Sequence, residues 1–144
     1  MRKAFGIVAL LLILADPLAA QGGAGYRVIV NAANPATPMR RADVSNLFLK
    51  KTSRWAHGVA VTPVDQSTTS PVRAAFSKDV HGRSIDALQS YWQQQIFSGR
   101  NEPPRVKLSD AEVMAFVQSN PGAIGYVSDA ATLIDGVKVL SVTD

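Results

Sequence analysis

The pattern of hydrophobic and polar positions along the chain predicts four β-strands. The first, Y-R-V-I-V-N-A, alternates and is rich in branched side chains, as is typical of a strand. Pro63 in the second predicts an edge strand or a strand end, because proline cannot donate a ladder hydrogen bond. The predicted strands cover residues 26–32, 59–65, 123–127 and 137–142.

Apolar residues recur at helical spacing in the segments between these strands. A short helix is predicted from about Arg40, on the spacing of Val44, Leu47 and Phe48. Ser70 and Pro71 are typical of the N-cap and the first position of a second helix, which should run to about residue 80.

Two more helices are predicted further along. Ser84 is expected to cap a helix whose apolar stripe contains Ile85, Leu88, Trp92 and Ile96. The S-D-A-E sequence of residues 109–112 is a capping box, and it predicts a helix with a buried side at Val113, Phe116 and Val117. The order βαβααα followed by ββ favours an α/β structure with helices packed on a sheet.

The beginning of the chain has the layout of a secretory signal peptide. Arg2 and Lys3 precede an apolar run over residues 4–15, and Asp16 and Pro17 end it. As a helix this run would span about 18 Å, too short for a hydrocarbon core of about 30 Å. We therefore expect cleavage after Ala20, a domain over residues 21–144, no membrane span after cleavage and a periplasmic location.

Composition and charge exclude several classes of function. Removing residues 1–20 leaves 13 Lys and Arg against 10 Asp and Glu, a net charge of +3, with no basic stripe that would predict nucleic-acid binding. The chain has no cysteine and therefore no disulfide, zinc–thiolate site or cysteine nucleophile. His57 and His81 lie outside any catalytic or metal-binding motif, so both are predicted to be surface residues. We expect no enzymatic activity, no catalytic residue, no metal and no cofactor.

The hydroxyl-rich stretch D-Q-S-T-T-S-P-V-R carries the candidate chemistry. Anions bind at helix N-termini, where free N–H groups and the helix dipole both point, and an arginine adds a forked positive charge. The candidate ligand-binding residues are Ser67, Thr68, Thr69, Ser70 and Arg73. Taken alone, this stretch favours an ordinary helix cap over a ligand site.

Asp65 lies at the end of the second predicted strand, directly before these hydroxyls. Its carboxylate could orient the hydroxyls or accept a proton from a ligand. An ordinary turn aspartate is the alternative, and the sequence favours it.

Several stretches together resemble the phosphate-type substrate-binding proteins of bacterial ABC transporters. The stretches are V-I-V-N-A-A-N-P, L-F-L-K-K-T-S-R-W with V-T-P-V-D, S-P-V-R-A-A-F, and N-P-G-A-I-G-Y-V. The anion-binding signature of that family is S-G-T-R-x-x-F, and Ser70, Arg73 and Phe76 match it. The resemblance covers about residues 26–142, almost all of the chain after the predicted cleavage.

The resemblance implies a fold and a function. The expected fold is one α/β lobe of a type II periplasmic-binding-protein-like structure, with a small mixed sheet flanked by helices. The expected function is binding of phosphate or a similar oxyanion, with an ABC transporter permease as a possible partner. Pro71 and Val72 replace the glycine and threonine of the signature, and the length suffices for one lobe. An accessory module that has lost solute capture and contacts an envelope protein is therefore the alternative.

Overall fold

The computed structural model describes residues 25–144, which form seven strands and four α-helices. The strands are β1 (Tyr26–Asn31), β2 (Met39–Arg40), β3 (Thr62–Gln66), β4 (Arg105–Lys107), β5 (Ala123–Ser128), β6 (Val137–Val139) and β7 (Val142–Thr143). The helices are α1 (Arg41–Phe48), α2 (Pro71–Phe76), α3 (Ile85–Phe97) and α4 (Asp110–Ser119). A π-helical segment, Ser77–His81, continues α2. The predicted signal peptide and its cleavage site lie outside the described residues.

Five strands form one mixed sheet in the order β4-β3-β5-β1-β6. Strands β4, β3 and β5 are parallel, whereas β1 pairs antiparallel with both β5 and β6. Strands β2 and β7 form a separate parallel pair. The predicted α/β class with a small mixed sheet is confirmed.

Alternation along the central strands directs apolar side chains to both faces of the sheet. In β5, Ile124 and Tyr126 pack with α1 and α2, while Ala123 and Val127 pack with α4. The sheet therefore lies between two helical layers. Gly125 permits the close approach of α4, because a Cβ there would lie 2.7 Å from Val113 Cγ1.

The observed strands differ from the predicted ones in several places. For Pro63 the sequence predicted an edge strand or a strand end, and the second is observed. Strand β3 lies between β4 and β5, Pro63 is near its start, and pairing with β4 begins at Val64. Strands β2 and β4 lie in segments for which no strand was predicted. The predicted strand over residues 137–142 is divided into β6 and β7. Strands β2, β4, β6 and β7 have two or three residues each, which is too few to show a periodic pattern.

The helices α2 and α3 differ from their predicted patterns in one respect each. Helix α2 changes to π-helical geometry at Ser77 and stops at Gly82, whose φ of 63° is readily adopted by glycine. In α3, Leu88 and Trp92 are buried against Leu49, but Ile96 is 56% exposed. Only part of the predicted apolar stripe is therefore buried, because α3 packs on a small cluster at the periphery. Over residues 25–144, no helix has both the length and the apolar character needed to cross a bilayer.

Candidate functional site

Arg73 points into the protein from the first turn of α2. The residue is only 7% exposed. Its Nη1 donates a 2.7 Å hydrogen bond to the carbonyl of Gln66, and its Nη2 lies 3.7 Å from Oδ2 of Asp65. The second distance is an ion-pair contact rather than a hydrogen bond. Nη2 therefore keeps donor capacity for another acceptor.

Asp65 is buried at the centre of a small polar network on the α2 face of the sheet. The hydroxyl of Tyr126 donates to Oδ1 of Asp65, and the Tyr126 ring stacks on Phe76 with centroids 3.9 Å apart. Burial raises the pKa of Asp65, although the charge of Arg73 and the Tyr126 hydrogen bond act against this rise. Burial and the adjacent carboxylate also raise the pKa of Tyr126. The expectation of an ordinary turn aspartate at residue 65 is wrong, because β3 continues through it into the core.

Gln66 connects this network to the start of α4. Its Nε2 donates to Oδ1 of Asp110 at 2.8 Å and to the carbonyl of Tyr126 at 3.0 Å. Ser128 Oγ donates to Oδ2 of Asp110 at 2.6 Å. Burial alone would raise the pKa of Asp110, but the hydrogen bonds from Ser128 and Gln66 hold it below its ordinary value. The network holds the backbone at the start of the hydroxyl loop, residues 67–70.

Most hydrogen bonds of the hydroxyl loop are formed within the loop or with Gln66. Ser67 Oγ and Thr69 Oγ1 lie 3.1 Å apart. Ser70 Oγ donates to Oε1 of Gln66 at 3.3 Å, and the Ser70 N–H donates to the carbonyl of Ser67 at 2.9 Å. Ser70 occupies the N-cap position of α2 but makes no side-chain capping bond. The backbone N–H of Ser70, one of the candidate ligand-binding residues, is thus already used inside the loop.

A cavity of about 340 Å³ opens beside this loop, between α2, α3 and the edge strand β4. Its polar end is formed by Asp65, Thr68 and Arg73. Its other walls are two glutamines and a group of apolar side chains. These are Gln89, Gln93, Trp92, Ile96, Pro103, Pro104 and Val106.

The cavity brings together two of the five predicted site residues. Thr68 and Arg73 line it, whereas Ser67, Thr69 and Ser70 are not among its lining residues. No sequence pattern indicated the role of Gln66 or of the cavity walls at α3 and β4. Trp92 was expected on an apolar helix stripe, and no element was predicted at the two prolines, so no local pattern connected them with Arg73.

A second, larger cleft of about 670 Å³ lies on the other side of Thr68. It is lined mainly by polar and charged side chains, including Lys78, Arg83 and Asp86. Lys78, Arg83 and Asp86 are all exposed to solvent. Water and salt screen these exposed charges, whereas Arg73 is only 7% exposed, so the cavity at Arg73 is the better candidate site.

The two histidines lie away from this cavity. His57 is exposed as predicted, but the surface position predicted for His81 is wrong. His81 is partly buried against Phe48 and Phe76, with Nδ1 2.7 Å from Oγ of Ser45. Burial, together with the charges of Arg83 and Arg73, lowers the pKa of His81 to about 4. In the described part of the chain, no three His, Asp or Glu side chains cluster as metal ligands.

The fold is similar to that of solved phosphate-transport proteins. One is an ABC-type phosphate transport receptor from Vibrio cholerae, with a TM-score of 0.65 and 19% identity over 83% of this chain and 47% of that chain. A putative phosphate ABC transporter substrate-binding protein from Clostridium perfringens, solved with bound phosphate, has a TM-score of 0.66 and 20% identity over 82% and 44%. A possible phosphate binding protein from Planctomyces limnophilus DSM 3776 has a TM-score of 0.60 and 18% identity over 83% and 42%.

These similarities establish the fold. The chain spans less than half the length of these solved proteins, so it corresponds to a single lobe of the periplasmic-binding-protein-like fold. No family model matches the sequence, and no curated protein matches it either.

Proposed function

We propose that the protein is a solute-binding protein that holds phosphate or a similar small oxyanion at the polar end of the cavity. The observation that carries this proposal is the placement of Thr68 and Arg73 on one cavity wall. Thr68 supplies a hydroxyl donor, and Arg73 supplies a guanidinium whose Nη2 makes no hydrogen bond within residues 25–144. Guanidinium groups form strong, directional bonds to oxyanions. The bound phosphate of the Clostridium perfringens protein supports the choice of ligand.

The buried carboxylate of Asp65 determines which oxyanion fits. An anion placed near Arg73 also approaches Asp65, and two adjacent negative charges favour taking up a proton. Phosphate keeps at least one proton at neutral pH and can donate it to Asp65. Sulfate has no such proton, so the site should prefer phosphate.

Isothermal titration calorimetry of the purified protein at pH 7 tests this proposal. Phosphate should give a saturable signal, and sulfate should bind more weakly. Thr68→Val and Arg73→Lys should each weaken phosphate binding by roughly tenfold or more, because a hydrogen bond to a charged group contributes about 1.5–3 kcal/mol. Circular dichroism should show that both variants remain folded.

Two surface variants serve as matched controls. Thr132→Val and Arg40→Lys change exposed residues outside the cavity, and they should leave the affinity for phosphate unchanged. The absence of heat with either anion at millimolar concentration would contradict the proposal. Equal effects of the cavity variants and of their controls on the affinity for phosphate would also contradict it.

The second candidate function is an accessory module of the cell envelope without solute capture. Four exposed apolar side chains favour it, two at the end of α3, one in β4 and one directly after β4. They are Ile96, Phe97, Val106 and Leu108. A failure to bind either anion would favour this candidate over the first.

The proposed function also implies a cellular location and a transporter partner for the protein. The fold shared with ABC transporter binding proteins supports an exported, periplasmic protein without enzymatic activity. Delivery of the bound anion to an ABC transporter permease would follow, as would removal of residues 1–20 during export.

A further inference from the structure

We propose that the preferred ligand is an organic phosphate monoester with a small aromatic or apolar group, rather than the bare inorganic ion. This inference rests on the proposed function, since the phosphate group would bind at Thr68 and Arg73. It adds a second subsite, the apolar wall formed by Trp92, Ile96 and Val106.

The size of the cavity is the first argument. Its volume of about 340 Å³ lies within the range typical of small-molecule sites, about 300–1,000 Å³. A water molecule occupies about 30 Å³ of liquid volume, so the cavity is on the order of ten water volumes. A tetrahedral ion with five heavy atoms would fill only its polar end. Water would then cover the remaining walls.

The character of those walls is the second argument. Ile96 is 56% exposed and Val106 is 48% exposed, although both are large aliphatic residues. They come from different elements, α3 and β4, and yet line the same cavity together with Trp92 and two prolines. Covering such surfaces with an apolar ligand group removes them from water, which is favourable. An inorganic ion has no group that could do this.

The charges at the polar end are consistent with a monoester. Arg73 and Asp65 form a buried pair of opposite charge, so the site as a whole is close to neutral. A monoester carries at most two negative charges, and its second ionisation occurs near pH 6. The singly protonated form can accept from Nη2 of Arg73 and donate its remaining proton to Asp65. Gln89 and Gln93 add amide groups to the lining of the cavity.

A pair of matched ligands tests the inference by calorimetry at pH 6. Phenyl phosphate and methyl phosphate share the same head group and differ only in the apolar group. Phenyl phosphate should bind about tenfold tighter or more, because a buried ring removes considerable apolar surface from water. Inorganic phosphate, measured in parallel, reports on the head-group site alone.

Substitutions in the apolar wall test where the ring of phenyl phosphate binds. Ile96→Asn and Val106→Asn should each reduce the preference for phenyl phosphate several-fold and leave the affinity for inorganic phosphate unchanged. Both residues are partly exposed, which favours retention of the fold. Phe97→Asn is the matched control, since Phe97 is the neighbour of Ile96, is 96% exposed and does not line the cavity. It should change neither affinity.

Each outcome decides between the two proposals. Equal affinities for the phenyl and methyl esters would overturn the inference and leave the proposed function intact. A preference that survives both wall substitutions would also overturn it, because the ring would then bind elsewhere. Failure of all three phosphate ligands to bind would overturn the inference and the proposed function together.

Discussion

Arg73 combines a proposed role in anion binding with a structural role in the candidate site. The sequence marked it as an anion ligand, whereas the structure shows it bonded to Gln66 and paired with Asp65. Both roles are compatible, because a guanidinium has five N–H donors. Its partners could not be predicted, since Gln66 and Asp65 become neighbours of Arg73 only when α2 folds back onto β3. Sequence motifs identify a residue type, and packing determines how much of its hydrogen-bonding capacity is free.

His81 provides a prediction at the residue scale. The pKa of this histidine is lowered to about 4 in the folded protein, from an ordinary value of 6.5. Between these two pH values the unfolded chain binds a proton that the folded chain excludes. The free energy of unfolding should therefore fall as the pH is lowered from 6.5 to 4.

Urea denaturation of the wild-type protein and His81→Asn across this pH range measures the effect. The variant should lose less stability over the range than the wild-type protein does, whatever its stability at pH 7. His57→Asn, a change of an exposed histidine, should follow the wild-type slope. Identical slopes for wild type and His81→Asn would show that His81 is not responsible.

At the scale of elements, long periodic segments were predictable and short ones were not. Strand β1 and helix α4 have residues enough to show their period, and both were found close to their observed bounds. Strand β4 has three residues and follows two prolines, so its sequence indicates a turn. Its pairing comes from the neighbouring strand β3 rather than from its own residues. The part of the cavity wall that β4 forms could therefore not be predicted from the sequence.

The contact between β5 and α4 gives a prediction for this scale. A methyl group at Gly125 would lie 2.7 Å from Val113 Cγ1 and 2.8 Å from Val64 Cγ1, inside a fully buried region. Gly125→Ala should therefore reduce the free energy of unfolding by about 1–3 kcal/mol, a typical cost of overpacking. Urea denaturation measures the loss.

A double-mutant cycle shows whether crowding is the cause. Val113→Ala creates space at the contact, so Gly125→Ala should cost less in that background than in the wild-type protein. Additive losses in the two single variants and the double variant would contradict the steric explanation.

At the scale of the whole molecule, the order of elements was sufficient for the fold class but not for the site. Alternating strands and helices predicted an α/β structure with helices packed on a sheet, and the observed sheet and the similarity to solved phosphate-transport proteins confirm that fold class. The site depends on three segments far apart in sequence, the loop at Thr68, helix α3 at Trp92 and strand β4 at Val106. Only the folded chain brings them to one cavity.

The most direct test of this account is a titration with phosphate followed by ¹H–¹⁵N correlation spectra of the labelled protein. We predict saturable shifts of the amide signals of Thr68 and Arg73, because both residues line the polar end of the cavity. The signals of Lys78 and Gly82, in the second cleft, should move less. Spectra that do not change with phosphate, or changes confined to the second cleft, would contradict the assignment of this cavity as the ligand site.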